Sequence, residues 1–197
     1  MLPAGIGGLS KLEELVLADN HLRVLPASLG SLTRLRRLDL SRNKFASAGP
    51  TSDPGVGDPG GGNGDGDEGD SAGLTHVGGC AALTELRLDG NGGLLGFPCG
   101  FRALASLQVL GGDHTGVRRI RGDFLQGCTA LHTLSLRGCP VDVEELRATQ
   151  GYEGFEARRQ ANRSKQIHGQ VMIGSRGLDD GLDHGQHADR AIKGAHT

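Results

Sequence analysis

His132, Ser135 and Asp142 lie close together in the chain, and a hydrolase uses these residue types as base, nucleophile and orienting acid. A triad is defined by side-chain geometry, however, and each of the three already has a place in a periodic pattern, so no catalytic residue is assigned. Asp65, Asp67 and Asp70 sit in a Gly-rich run that invites a calcium reading. An EF-hand loop needs carboxylates at alternate positions, a turning Gly and a closing Glu. This run lacks that spacing and that Glu, and GGNGDG puts Gly66 where a glycine-rich calcium repeat needs Asp. Asp179, Asp180, Asp183, His184 and His187 carry ligand chemistry, but nothing in the sequence orders them. No metal and no cofactor is therefore expected, and no enzymatic activity. Cys80, Cys99, Cys128 and Cys139 have neither metal-site nor disulfide-framework spacing, which suits reduced thiols in a cytoplasmic protein.

The composition narrows the elements that must position any site. The 197 residues are 36% hydrophobic, yet they include no Trp, one Tyr and five Phe, so leucine has to organise the core. A formal charge of −2 argues against a general nucleic-acid binder. No apolar run approaches the ~20 residues of a membrane span, and the N-terminus lacks a secretory pattern. Neither nucleic acid nor membrane insertion is expected.

The leucines repeat with a period that is neither 3.6 nor 2. From Leu12 the chain reads LEELVLADNHLRVLPASLGSL, and the frame restarts at Leu35, Leu83, Leu107 and Leu131. The pattern is L-x-x-L-x-L-x-x-N/C-x-L, the leucine-rich repeat signature, present in about five copies plus a partial N-terminal one. No single turn can bury its own apolar face, so the turns must stack, and about three are needed for stability. Leucines flanking one residue point to the same side of a short strand and enter the core. Asn20, Asn43, Asn91 and Cys139 stand where the chain turns inward and bonds backbone groups of adjacent turns. The expected fold is α/β: a curved horseshoe segment, with short parallel strands on the concave face and loops or short helices on the convex face.

Two places depart from the frame. In the fourth copy Gly112 replaces a framework leucine and Thr115 the Asn, which predicts the weakest packing there. In the second copy a Gly/Asp-rich insertion at about 48–72 interrupts the repeats and is expected to be disordered. The repeats thus occupy 1–141. The opening LPAGIGGL is the outer half of a repeat without its strand, so either an upstream segment is missing or the first turn frays. After Val141, Asp142 caps a helix expected over Val143–Ala148, with a second expected over Glu153–Lys165; together they form a C-terminal helical cap at 142–166. Val143, Leu146, Tyr152 and Phe155 would close the core, while Arg158, Arg159, Arg163 and Lys165 are expected on the cap's outer face. The remainder, 167–197, reads as a flexible tail.

The repeats, with Leu25-Pro26 and Phe97-Pro98 on the return segments, resemble the intracellular leucine-rich repeats shared with Ras-binding and cell-polarity scaffolds. The GY-x-x-F-E-x-R-R and K-Q-I blocks after Leu131 are similar to the C-terminus of plant-type leucine-rich repeat proteins that carry an N-terminal ubiquitin-like domain. This sequence has no ubiquitin-like segment. The resemblance implies that solvent-facing strand residues bind a protein of unidentified nature. These are Glu14, Arg37, Glu85 and Thr133 in one column, with Val109 between the last two; Val16, Asp39, Arg87 and Ser135 in the next, with Gly111; and Asp89, Asp113 and Arg137 in the third, with Ala18 and Ser41. The columns mix both charges and lack the aromatics that dominate tight interfaces, which favours a polar, moderate-affinity partner. A scaffold or adaptor in signalling follows; a fragment of a larger regulator, or a regulatory subunit of a phosphatase or small GTPase, is the alternative. The oligomeric state is left open.

Overall fold

A computed structural model describes residues 2–46 and 73–168, with side chains through 164. The insertion expected at 48–72 and the tail from residue 169 lie outside the described residues. Five three-residue strands, β1 (Glu14–Val16), β2 (Arg37–Asp39), β3 (Glu85–Arg87), β4 (Val109–Gly111) and β5 (Thr133–Ser135), form one parallel sheet in sequential order. The register aligns Leu15, Leu38, Leu86, Leu110 and Leu134 in one inward row. The second strand thus pairs directly with the third, across the insertion.

Each strand is preceded by a return segment on the convex side. Four of these are 3-10 turns, at Ala4–Gly8, Ala27–Ser31, Thr75–Gly79 and Cys99–Ala103; the fifth is a short helix, α1 (Gly122–Gly127). Pro3, Pro26 and Pro98 stand immediately before three of them, where a fixed φ is compatible and no N–H is needed. The return segments stack so closely that a Cβ on Gly127 would lie 2.1 Å from the Arg102 carbonyl oxygen. Glycine outside the insertion therefore has a packing role at the back of the solenoid.

The core runs as one cluster through all the turns, and its leucines are joined by every phenylalanine of the chain. Few aromatics does not mean peripheral ones. Phe45, Phe101 and Phe155 are fully buried, and Phe97 packs against both Phe101 and Phe124 with ring centroids 6.0 and 5.5 Å away. This cluster corrects the expectation for the fourth turn. The space left by the missing leucine at Gly112 is filled from the neighbouring turns: a Cβ there would already meet Leu136 at 3.3 Å and the Phe97 ring at 3.4 Å.

Two helices follow the last strand. Helix α2 (Val143–Ala148) starts at Asp142, whose carboxylate accepts from the Glu144 and Glu145 N–H groups at 2.8 and 3.3 Å. Helix α3 spans Tyr152–His168, beyond the expected Glu153–Lys165 at both ends. Leu146 and Phe155 are buried, and Val143 and Tyr152 pack against the same core. Ser28 Oγ donates to the Ala4 carbonyl at 2.6 Å, tying the first turn to the second.

Candidate functional site

The strand register brings the sequence-derived columns into ranks across the concave face. Glu14, Arg37, Glu85, Val109 and Thr133 align in one rank, and Val16, Asp39, Arg87, Gly111 and Ser135 in the next. Adjacent strands lie about 4.8 Å apart, so side chains in a rank are near neighbours. Arg37 bridges two of them, donating from Nε to Glu85 at 2.9 Å and from Nη1 to Glu14 at 3.3 Å. Arg87 Nε donates to the other Glu85 oxygen at 2.8 Å. Burial pushes the Glu85 carboxyl up, but the hydrogen bonds and charges of Arg87 and Arg37 outweigh it, and the net shift is downward. The reciprocal hydrogen bonds raise Arg37 above its usual range. The N-terminal half of the face is therefore an internally neutralised ion-pair row.

The C-terminal half is arranged differently. Asp89 Oδ1 accepts from the Asp113 N–H at 2.8 Å. Asp113 Oδ1 in turn accepts from the Arg137 N–H at 2.8 Å and the Ser135 hydroxyl at 2.6 Å. Asp39 closes a local turn onto the Ser41 N–H at 2.9 Å. These carboxylates hold the ends of the strands as well as facing solvent. Asp89 is half-buried over Gly111, where a Cβ would lie 3.0 Å from its oxygen. Desolvation, aided by the charge of Asp113, raises its pKa although the hydrogen bond from Asp113 opposes the shift. Ser41, expected on the open face, is buried. Val16 is 59% exposed at the free edge of the sheet.

The turn residues form a ladder. Asn43 Oδ1 accepts from the Leu22 N–H at 3.0 Å, while its amide donates to Leu17 and Leu40 carbonyls at 2.9 and 3.0 Å. Asn91 repeats this with the Phe45 N–H at 3.3 Å and the Leu40 and Leu88 carbonyls at 3.1 and 2.7 Å. Asn20, in the exposed first turn, reaches only its own turn, at the Leu17 and Ala18 carbonyls. In the last two turns Thr115 and Cys139 take the place of Asn: both reach the Gly112 carbonyl, at 2.8 and 3.0 Å.

A column that the sequence reading missed runs beside this ladder. The residue before each ladder position has positive φ: Asp19, Arg42, Gly90, His114 and Gly138. Each is exposed. Arg42 forms a two-pronged pair with Asp19. Gly138 has to be glycine on two counts: its φ is +68°, and a Cβ would come within 2.5 Å of the His114 ring. Gly-Asn and Gly-Cys at 90–91 and 138–139 were the available signals for this turn.

The possible catalytic constellation is not assembled. Asp142 caps α2, Ser135 donates to Asp113, and His132 Nδ1 contacts Thr133 Oγ1 at 3.0 Å. Among the described residues no group of His, Cys, Asp and Glu is placed to hold a metal ion, and no described helix is long and apolar enough to cross a membrane. The Asp65 to Asp70 run and the Asp/His group after Leu178 lie outside the described residues. Cys80 and Cys128 are buried, and burial pushes their thiols up to about 11 and about 12.

The basic stretch of α3 is also a correction. Arg158 turns inward, donating from Nε to the Leu131 carbonyl at 2.9 Å and from Nη2 to that of Cys128 at 3.4 Å. These carbonyls belong to the last turn, which no strand follows among the described residues. Arg159 is buried and pairs with Glu156 at 3.1 Å. Arg163 alone of the expected outer-face residues is described as exposed, and the Lys165 side chain lies outside the described residues.

Comparison with known proteins agrees with the repeat frame. Residues 3–45 match the family described as Leucine rich repeat. A 61-residue stretch, 31% of this chain, is 38% identical to plant intracellular Ras-group-related LRR protein 7 of Oryza sativa subsp. japonica, and spans 23% of that protein's length. A leucine-rich repeat protein of Leptospira interrogans superposes over 76% of this chain and 32% of its own, with a TM-score of 0.54 at 22% identity. A chain of the Drosophila Toll–Spatzle complex covers 71% of this chain and 16% of its own, with a TM-score of 0.52 at 15% identity. The described residues form a leucine-rich repeat solenoid, an architecture that presents an extended concave surface suited to protein interaction.

Proposed function

We propose that this chain is a non-enzymatic interaction scaffold or adaptor, cytoplasmic and acting in intracellular signalling, whose concave face binds a protein. The observation that carries the reading is the ion-pair row of Glu14, Arg37 and Glu85 with Arg87 of the adjoining rank. Four charged side chains from three strands are held in fixed mutual geometry by one another on an otherwise open face. Such a row costs little to order further on binding, because its rotamers are already restrained. It offers charge-assisted hydrogen bonds in place of a hydrophobic anchor, which suits a polar partner of moderate affinity. Asp39, Asp89, Asp113, Thr133, Ser135 and Arg137 extend the polar surface, with Val16 at its edge. Affinity capture compared between the wild type and the Arg37→Glu/Arg87→Glu double variant tests this reading. Partners of the concave face should be lost from the variant and kept by an Arg163→Glu control on α3. An interactor list unchanged by the double variant rejects the face as the site.

A second reading, favoured by one observation, is a part of a larger regulator. The rice relative is named as Ras-group-related, and this chain spans less than a quarter of it. The repeats would then serve a further domain, for example a ubiquitin-like one, or act as a regulatory subunit towards a small GTPase or phosphatase. Titration of the chain against a small GTPase in its two nucleotide states separates this from the general scaffold reading.

A further inference from the structure

The flank where the chain leaves the concave face and turns towards the next return segment carries a different charge pattern from the strands. Residues 20–26, 43–46, 91–98 and 115–121 build it, one segment per turn. These segments stack. The Lys44 N–H donates to the Leu22 carbonyl at 2.8 Å, Ala46 bridges to Gly93 in parallel, and the Arg118 N–H donates to the Leu95 carbonyl at 3.2 Å. Leu22, Phe45, Leu94 and Val117 are buried in the core, while Arg23, Lys44 and Arg118 are exposed on the outside of the same segments.

The four segments contain no Asp and no Glu. On the concave side Arg37, Arg42 and Arg87 each meet a carboxylate of their own or a neighbouring turn. Arg119 and Arg121 likewise reach Glu145 and Asp123, at 2.8 and 3.1 Å. Arg23, Lys44 and Arg118 form no ion pair among the described residues. Two large apolar side chains stand in water beside them, Val24 at 54% and Leu95 at 41% exposed. Along the stack the order is Arg23 with Val24, then Lys44, Leu95 and Arg118. Hydrogen-bonded turns lie about 4.8 Å apart, so the row covers roughly 15 Å, the length of about five extended residues.

We propose that this flank is a second docking surface, for an extended acidic segment of a partner protein whose carboxylates alternate with apolar residues. Its carboxylates pair with Arg23, Lys44 and Arg118, and its apolar side chains cover Val24 and Leu95. Two other anionic occupants match the row less well. Residues 47–72 of this chain hold six carboxylates, but Val56 is the sole large apolar residue among them. A phospholipid surface is held by clusters of roughly four to eight cations, more than the row offers. The inference goes beyond the concave face and is independent of what that face binds.

Fluorescence anisotropy of the full chain with a labelled short peptide of alternating Glu and Leu tests it. Saturable binding is expected, weakening as salt rises. Arg23→Glu, Lys44→Glu and Arg118→Glu should each weaken it about two- to fivefold, and the triple variant at least about tenfold. Val24→Ser should weaken it roughly twofold and leave its salt dependence unchanged, because only apolar contact is lost. Arg37→Glu/Arg87→Glu on the concave face and Arg163→Glu on α3 should keep the binding, so this surface and the concave face fail separately. All the replaced side chains are exposed, and circular dichroism checks that the variants keep the fold. No binding by the wild type overturns the proposal, as does equal binding by the triple variant. So does binding that appears only when residues 49–71 are replaced by a Gly/Ser linker, which makes the chain's own acidic segment the occupant. Binding to phosphatidylserine vesicles in place of the peptide overturns it as well.

Discussion

Replacing Asn91 with Ala should cost far more than the same change at Asn20, although both occupy the same place in the repeat. Asn91 is 0% exposed and serves three backbone groups: the Phe45 N–H and the carbonyls of Leu40 and Leu88. The Leu40 carbonyl keeps a second donor in Asn43, at 3.0 Å, so the truncation orphans two buried groups and not three. An orphaned buried polar group costs about 1–3 kcal/mol, and the long 3.3 Å bond to Phe45 belongs at the low end. The expected loss is about 2–4 kcal/mol. Asn20 is exposed, and the Leu17 carbonyl it touches is also held by Asn43 at 2.9 Å. Its truncation should cost below about 1 kcal/mol. Urea unfolding followed by far-ultraviolet circular dichroism gives both values on one scale. Equal costs at the two positions would refute the view that the ladder stabilises by satisfying backbone groups of neighbouring turns.

Three further outcomes are expected. Arg158→Ala leaves the Leu131 carbonyl without its donor, while the Cys128 carbonyl keeps the Leu131 N–H at 3.1 Å, and should cost about 1–3 kcal/mol in the same unfolding assay, with the exposed Arg163→Ala within about 0.5 kcal/mol of wild type; similar values for both would remove Arg158 from its capping role. Glu85 and Asp89 should show opposite pH dependence. The lowered pKa of Glu85 means that its stabilisation is present above the unfolded carboxyl value of about 4.3 and is lost as pH falls through the folded value, so Glu85→Gln costs stability at neutral pH only. The raised pKa of Asp89 means that its ionised form is a burden above that value, so Asp89→Asn, whose amide oxygen still accepts from Asp113, should gain stability at neutral pH and lose the gain in acid; thermal melts at several pH values read both signs. Finally, iodoacetamide labelling near pH 8 resolved by mass spectrometry should modify Cys99 and Cys139 well before Cys80 and Cys128, which are buried with thiols pushed up to about 11 and about 12. Uniform labelling of the folded chain would contradict the burial.

The sequence by itself determined the frame. Leucines two apart must share a face of a strand, so Leu15, Leu38, Leu86, Leu110 and Leu134 and the residues flanking them were legible as ranks, and those ranks are the observed register. The Asp142 cap was equally legible, because an N-cap and the first turn it serves are neighbours in the chain. Only the tertiary structure decided what depends on adjacent turns. The gap at Gly112 is filled by Phe97 and Leu136, which no local pattern around Gly112 announces. Arg158 looks like a solvated helix charge until Leu131 and Cys128 bring their carbonyls beneath it. Asp89 reads as one more solvent-facing acid until Gly111 and Asp113 take it partly out of water. A repeat sequence encodes the position of each residue within its own turn, through strand and turn geometry. What a side chain meets comes from the turn stacked next to it, and that is fixed only once the solenoid is built.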